Sequence, residues 1–537
     1  MRALFPPYLG IDGYKLEHHR QYPDKTEVVF SNLTPRYSRR HADHVVYFGG
    51  QYFIRRILIE LWQTEFFEKS KDEVLYKFQR YINAYAGKDN QVGIHHISAL
   101  HDLGYLPIKI MTLPEGSVYP IKVPCLVIFN TKPEFYWLTN FLETILSNNI
   151  WPMCTSATTA KIYYDLLASY AMETVGDTSF VQFQGHDFSF RGMFGSEAGV
   201  MSAGGHATSF VGTDTVPVLA FMEDWYGANV DEELVGCSIP ATEHSVMCAG
   251  GEDNELETFR RLIEDLYPHG FLSVVSDTWD FWNVVNPNNG LVVQLKDKIL
   301  ARNGKLVIRP DTGDPIKIVC GEAKPIAERN LDLIREALHE GYTHIRVDDK
   351  YYFVKTGGSM GIALEEVKPE DVTPEMKGAI QCLYEIFGGT KTAKGYKLLD
   401  SHIGLIYGDS ITIARAHAIC QQLKDMGFAS TNIVFGIGSY TYAYVTRDTD
   451  GYAVKATWVR INGEDREIFK EPKTGDGTKK SAKGLIAVYR DNNGEFYMKD
   501  QATWDEVLNC AYQVVFEDGK MFNETTLGEI RSRLRQV

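Results

Sequence analysis

Seven consecutive residues, His186 to Gly192 (HDFSFRG), set two aromatic rings, an imidazole, a carboxylate and a guanidinium side by side. Phe188 offers a face on which a flat ring can stack against a second aromatic, and Arg191 offers a planar five-donor cation for a phosphate or carboxylate beside that ring. The same residues could instead close a buried strand end through an Asp187–Arg191 ion pair. Comparable clusters follow further along. SIPATEHS carries Ser238, Glu243 and His244; SVVSDTWD carries Ser276, Asp277 and Asp280; IRPDTGDP carries Arg309 and Asp311; and YGDS carries Gly408 and Asp409. Asp214 stands in GTDT, where an Asx turn or a helix N-cap is its commonplace use.

These clusters need elements that bring them to one place. Six segments share one plan, an apolar run that reads as a buried strand followed by polar residues: 180–192, 233–245, 271–280, 305–315, 402–410 and 432–440. Between several of them lie stretches such as ETFRRLIEDLY (257–267) and ITIARAHAICQQLKDMG (411–427), whose apolar residues recur at three and four as on a helix face. Alternating strands and helices predict an α/β fold with a parallel sheet covered by helices. Polar residues at the C-terminal ends of so many strands favour a (β/α) barrel over an open sheet, which collects its ligand at one switch point.

Composition limits the rest. A chain of 537 residues, 44% hydrophobic and 23% charged, can bury a large core and hold two or three subdomains. No apolar run approaches the roughly 18 residues that span a bilayer, and MRALFPPYLGIDGYK lacks the apolar centre of a signal peptide, so a cytoplasmic protein without a membrane partner is expected. The eight cysteines form no C-x-x-C pair and read as core residues rather than a disulfide framework or zinc site. A net charge of −15 argues against nucleic acid, and any anionic ligand must meet local basic clusters. Those are Arg36, Arg39 and Arg40 near the start, and Arg447, Lys455, Lys470, Lys479, Lys480 and Lys483 near the end. The Gly, Pro and Lys content of 470–484 reads as a loop able to close over phosphates.

With these residues in view, the chain resembles the nicotinate/nicotinamide phosphoribosyltransferase family, on the nicotinamide side. The resemblance runs through DGYK (12–15), YWLTNFLETIL (136–146), HDFSFRG, GTDT (212–215), SIPATEHS, SVVSDTWD, IRPDTGDP, KGYKLL (394–399), YGDS and VTRD (445–448). It implies the irregular (β/α) barrel of type II phosphoribosyltransferases with a second α/β domain, and a homodimer with sites at the subunit interface. It implies transfer of phosphoribosyl from 5-phosphoribosyl 1-pyrophosphate to nicotinamide in NAD salvage, with Mg²⁺ as cofactor and ATP as coupled co-substrate. By the same resemblance the pyridine ring lies between Phe188 and Tyr14 of the other subunit, with Asp12 and Ser238 and Ser276 among the substrate contacts. Asp214 accepts the carboxamide, Arg191 and Arg309 hold substrate oxygens, and Asp311 binds the ribose hydroxyls. Gly408, Asp409, Gly436 and Gly438 admit the 5′-phosphate, and Arg36, Arg447, Lys455, Lys470 and Lys479 meet phosphate or ATP. His244 is the residue phosphorylated from ATP, with Asp280 as a nearby acid and no definite metal ligand assigned. The chain departs from the family where glycines are expected, reading Gly438, Ser439, Tyr440.

The expected organisation is an N-terminal α/β domain to about residue 150, a barrel over 151–450 and a segment over 451–537 that returns to the first domain. An insertion at about 324–393 contains a helical pattern (327–341) and an alternating strand (344–355). Two other functions share the scaffold. A nicotinate enzyme should place a cation where Asp214 stands, and a noncatalytic binding protein should have lost the aromatic, arginine and aspartate positions. A phosphate-binding aldolase needs a strand-end lysine that none of the clusters supplies.

Overall fold

Strands buried along almost their whole length organise the first layer. In the computed structural model, which describes residues 4–357, 361–408, 410–469 and 482–536, the run TEVVFSNLTP forms β1 (Thr26–Pro35). The apolar stretch 108–129 is interrupted by its prolines and by Gly116, whose φ of 84° suits a turn. It yields β2 (Ile108–Thr112) and β3 (Leu126–Asn130), with Val118–Pro120 paired elsewhere. A 32-residue helix, Glu143–Thr174, then ties the molecule together. Its Cys154 lies in the core of this first layer, while Ala160, Tyr163 and Leu167 lie in the core of the next.

That next layer holds β4 (Gly185–Asp187), β5 (Gly212–Thr213), β6 (His269–Val275) and β7 (Asn303–Arg309). Within the insertion, β8 (Ala323–Pro325), β9 (His344–Val347), β10 (Lys350–Gly357) and β11 (Gly361–Glu366) form a separate four-stranded sheet around a small core of its own. The single alternating strand expected over 344–355 is a hairpin. It turns at Asp348, which adopts the left-handed φ of 52° that aspartate tolerates better than most residues. The helical pattern narrows to Leu331–His339, started by Asn330, whose side chain accepts from the Asp332 amide.

The chain then returns to the barrel as β12 (Ile403–Tyr407) and β13 (Ile433–Ile437). The six strands run parallel in the order β5-β4-β13-β12-β7-β6. Five of them come from the segments expected, and β5 does not. Residues 233–245 supply only single parallel bridges, Cys237 to Gly212 and Ala241 to Ser273. Pro240 has no N–H for a ladder and contributes only its carbonyl, which accepts from Ser273 at 2.8 Å. This stave nonetheless links the two edges of the curled sheet, and the two-residue β5 takes its place in the ladder. The barrel is irregular for that reason.

Beyond it, β14 (Tyr452–Ile461), β15 (Glu464–Glu467), β16 (Gln513–Glu517) and β17 (Lys520–Met521) extend the first sheet, whose order is β15-β14-β1-β3-β2-β16-β17. β14 pairs antiparallel along the whole of β1, and β16 pairs with β2. Among the eight cysteines, Cys125, Cys154, Cys320, Cys382 and Cys420 are buried, but Cys248 is exposed and is not a core residue.

Candidate active site

The C-terminal ends of the barrel strands carry the polar clusters, and buried hydrogen bonds set their directions. At the end of β4, Asp187 is wholly buried. Its Oδ1 accepts from the Ser189 amide at 2.9 Å, and its Oδ2 accepts from the hydroxyls of Thr213 (3.2 Å) and Thr215 (2.7 Å). No Asp187–Arg191 ion pair forms among the described residues, so Arg191 remains exposed on the one-turn segment Phe190–Gly192. Phe188 lies with its ring 4.6 Å from that of His186. A Cβ on Gly436 would stand 2.7 Å from the Phe188 ring and 2.9 Å from Gly408, so glycine is what lets the ring settle against the strand ends.

Asp214, after β5, is held from two sides. His186 Nε2 donates to its Oδ1 at 2.9 Å, and the Ser238 hydroxyl donates to the same oxygen at 2.7 Å. An ionised carboxylate can only accept, so the His186 proton sits on Nε2. Burial alone would raise the Asp214 pKa, but these two bonds and the charges of His186 and Arg309 hold it below the ordinary carboxylate value. Beneath it, His206 donates from Nε2 to the Gly212 carbonyl and accepts the Tyr442 hydroxyl at Nδ1. Burial drives its pKa down to about 4, which keeps this support neutral.

A second group converges on His244, the first residue of the helix His244–Gly250. Its Nδ1 meets the Thr278 hydroxyl at 3.2 Å, and its Nε2 faces Asp277 Oδ1 at 3.9 Å and Asp311 Oδ2 at 3.8 Å. The other oxygen of Asp277 accepts three bonds from the loop after β7: from the amides of Asp311 and Thr312, both at 2.8 Å, and from the Thr312 hydroxyl at 2.7 Å. Arg309 Nε lies 3.3 Å from Asp311 Oδ1. Asp311 in turn rests on Gly408, where a Cβ would fall 2.0 Å from its Oδ1. Glu243 is turned away onto the Ser245 hydroxyl.

The remaining positions are placed as follows. Asp280 caps the helix Phe281–Val285 through the amides of Trp282 and Asn283, which commits one of its oxygens. Ser276 is wholly buried and donates to its own neighbour's carbonyl, that of Val274, at 2.7 Å. Gly438 has open space around its α-carbon. Asp12 accepts from the Thr144 hydroxyl at 2.7 Å, and Tyr14 is 66% exposed beside His18, with no ring contact to Phe188 among the described residues. Arg36 donates to the Gly451 carbonyl, which brings it to the segment that carries Arg447, and Lys455 projects from β14 next to β1. Asp409, Lys470, Lys479 and Lys480 lie outside the described residues. Two contributors escaped the sequence reading. His186, the imidazole of HDFSFRG, orients Asp214 across 28 residues, a partnership the sequence did not show, and Asp277, weighed only as one acid among several, organises the whole Asp311 loop.

This geometry can be compared with known proteins. Residues 183–509 match the family model described as the nicotinate phosphoribosyltransferase (NAPRTase) family, and residues 8–110 match the nicotinamide phosphoribosyltransferase N-terminal domain. The chain belongs to the nicotinate phosphoribosyltransferase family. Among this family's members, a nicotinamide phosphoribosyltransferase of Acinetobacter baylyi is 47% identical over 99% of this chain and 97% of its own. One of Mycoplasma pneumoniae is 33% identical over 90% of this chain and 96% of its own. The fold is also that of nicotinate-nucleotide pyrophosphorylase from Pyrococcus furiosus, with a TM-score of 0.53 and 12% identity over 100% of this chain and 96% of the other. Human nicotinic acid phosphoribosyltransferase gives 0.51 and 13% over 98% and 93%. The family's type II barrel is thus the fold of this chain, an α/β architecture with a second α/β sheet attached.

Proposed function

We propose that the protein is a nicotinamide phosphoribosyltransferase, which transfers the phosphoribosyl group of 5-phosphoribosyl 1-pyrophosphate to nicotinamide and releases nicotinamide mononucleotide and pyrophosphate in NAD salvage. The observation that carries this reading is Asp214. His186 and Ser238 both bond its Oδ1 and keep the carboxylate ionised, and among the described residues no hydrogen bond reaches its Oδ2. That oxygen accepts a carboxamide N–H and repels a carboxylate, so the pocket takes nicotinamide over nicotinate. The names of the Acinetobacter and Mycoplasma relatives support the same substrate.

The ring stacks on Phe188 and is covered by Tyr14 of a second copy, which makes the working unit a homodimer; the exposure of Tyr14 supports this. The pyridine nitrogen has no proton to lose, so no general base is required. Its lone pair forms the bond to the anomeric carbon while the bond to the pyrophosphate oxygen breaks and its electrons leave with pyrophosphate. Asp311 lies where positive charge grows on the sugar, and Arg309 meets the oxygens that leave. Asp280, committed to its helix, serves this site by fixing the end of the β6 loop.

Mg²⁺ fits the site as a companion of the substrate. No group of three or more His, Cys, Asp or Glu that could hold a metal occurs among the described residues, and magnesium leans on phosphates with one or two carboxylates. Asp311 and Asp277 are the carboxylates that would hold it, and when bound it neutralises charge on pyrophosphate. ATP phosphorylates His244, whose side chain is 46% exposed: a nitrogen–phosphorus bond forms as ADP leaves, and hydrolysis later returns the imidazole and phosphate. Arg36, Arg447 and Lys455 supply cations for these anions. No helix among the described residues is long and apolar enough to cross a membrane, and we place the reaction in the cytoplasm, where phosphorylated substrates are retained.

Product detection by mass spectrometry after incubation with phosphoribosyl pyrophosphate, Mg²⁺ and either nicotinamide or nicotinate, with and without ATP, tests the assignment. Mononucleotide from nicotinamide alone is expected; product from nicotinate alone overturns the substrate, and no product overturns the activity. Asp214→Asn should lower kcat/KM for nicotinamide about tenfold to a hundredfold and narrow the preference over nicotinate, read from competing-substrate kinetics. Phe188→Ala should raise the nicotinamide KM about tenfold or more with turnover nearly unchanged, because stacking serves substrate and transition state alike.

A further inference from the structure

The C-terminal helix Leu527–Arg535 turns a buried stripe inward at Leu527, Ile530, Arg531 and Leu534. Its three apolar members pack in one core with Ala203 and Ala207 of the helix Ser196–Ala207 and with Val235. Arg531 holds the remaining place, only 8% exposed, where the spacing calls for another apolar side chain. Burial lowers its pKa to about 10, with the charge of Glu233 acting against that shift and the charge of Arg535 adding to it, so the side chain is a cation at neutral pH.

Each guanidinium nitrogen donates to a main-chain carbonyl. Nε donates to that of Ala207 (2.9 Å), Nη1 to that of Leu234 (2.7 Å) and Nη2 to that of Val235 (2.8 Å). These carbonyls lie on the two supports of Asp214. Ala207 ends the helix whose His206 donates to the Gly212 carbonyl of β5. Leu234 and Val235 lead into the stave, where residues 233–238 belong to no helix or strand. Gly236 then passes so close to β5 that a Cβ would stand 3.0 Å from Thr213 Cγ2. The Cys237 amide donates to the Val211 carbonyl at 2.7 Å, the Thr213 amide donates to the Cys237 carbonyl at 2.9 Å, and the next residue, Ser238, reaches Asp214.

Leucine in this place would avoid the desolvation cost of a buried cation. What the guanidinium adds is direction, because a rigid planar fork fixes three carbonyls relative to one another. We propose that Arg531 is a positioning residue for nicotinamide recognition: it fastens the stave to the helix Ser196–Ala207, so that the Ser238 hydroxyl stays on Asp214 Oδ1 and Oδ2 is left for the carboxamide. This role rests on Asp214 being the amide selector. It makes the C-terminal helix, which follows the last strands of the first sheet, part of substrate selection in the barrel.

Competing-substrate kinetics on the full chain test this through the ratio of kcat/KM for nicotinamide to that for nicotinate. Arg531→Ala should narrow the ratio about tenfold while the KM for phosphoribosyl pyrophosphate stays within about twofold. Arg531→Lys, which keeps a cation without the fork, should narrow it less. Ser238→Ala should narrow the ratio by itself, and adding Arg531→Ala to it should change the ratio by less than about twofold, because both act through one hydrogen bond. Equal losses for the two pyridines, or effects of Arg531→Ala and Ser238→Ala that multiply, overturn the proposal, as does failure of both Arg531 variants to fold. A ratio shifted by Asp214→Asn but by neither Arg531 variant overturns the role of Arg531 alone. A ratio shifted by none of the three overturns the reading of Asp214 as well.

Discussion

Asp311→Asn is expected to lower kcat by about 10² to 10³, roughly 3 to 4 kcal/mol of lost transition-state stabilisation, with the nicotinamide KM little changed. Asparagine keeps the shape of the side chain, so the packing against Gly408 survives and only the charge is lost. That charge stands 3.3 Å from Arg309 Nε and 3.8 Å from His244 Nε2, on a loop whose backbone is pinned at two consecutive amides. A group held this firmly needs no rearrangement when positive charge grows at the anomeric carbon. Steady-state kinetics at saturating phosphoribosyl pyrophosphate checks the point. A raised KM with unchanged kcat would reduce Asp311 to a binding contact.

Asp277→Ala should be nearly as damaging for a different reason. The Asp277 side chain is 4% exposed, and one oxygen accepts three bonds from Asp311 and Thr312. Removing it leaves two amides and a hydroxyl without their acceptor, a local cost on the order of 3 kcal/mol. The loop that carries Asp311 should loosen, so kcat/KM should fall by about a hundredfold or more while substrate contacts elsewhere stay intact. Asp277→Asn, which retains a carbonyl oxygen in place, should recover part of the loss. Hydrogen exchange at the Asp311 and Thr312 amides separates this account from general unfolding: exchange should quicken there and stay slow in β12 and β13. Uniform exchange across the barrel would show instead that Asp277 supports the domain as a whole.

Much of this was legible in the chain. The apolar runs that lead into SVVSDTWD, IRPDTGDP, YGDS and FGIGSY became parallel strands because an apolar run flanked by glycine and aspartate has one low-cost place, a strand covered on both faces. Before HDFSFRG the run Val181–Gln184 is instead a helical turn, and the strand is the short Gly185–Asp187. The stave at 237–241 read as a strand and is not one, since Pro240 breaks the ladder that its apolar neighbours would otherwise join. GTDT read as a turn and contributes a short strand, where the buried carboxylate of Asp187 on the adjacent strand β4 holds the hydroxyls of Thr213 and Thr215. Two residues are too few for periodicity to detect.

The sequence by itself determined the residue types of the chemistry, their order along the chain, and the alternation that demands a parallel barrel, since these depend on composition and spacing within short windows. Only the tertiary structure decided which oxygen each donor meets. It turned Asp187 away from Arg191, set His186 on Asp214 and gave Asp277 the loop of Asp311. Those choices are made between groups distant in the chain, where burial removes water and every polar atom must find the partner that packing brings within reach.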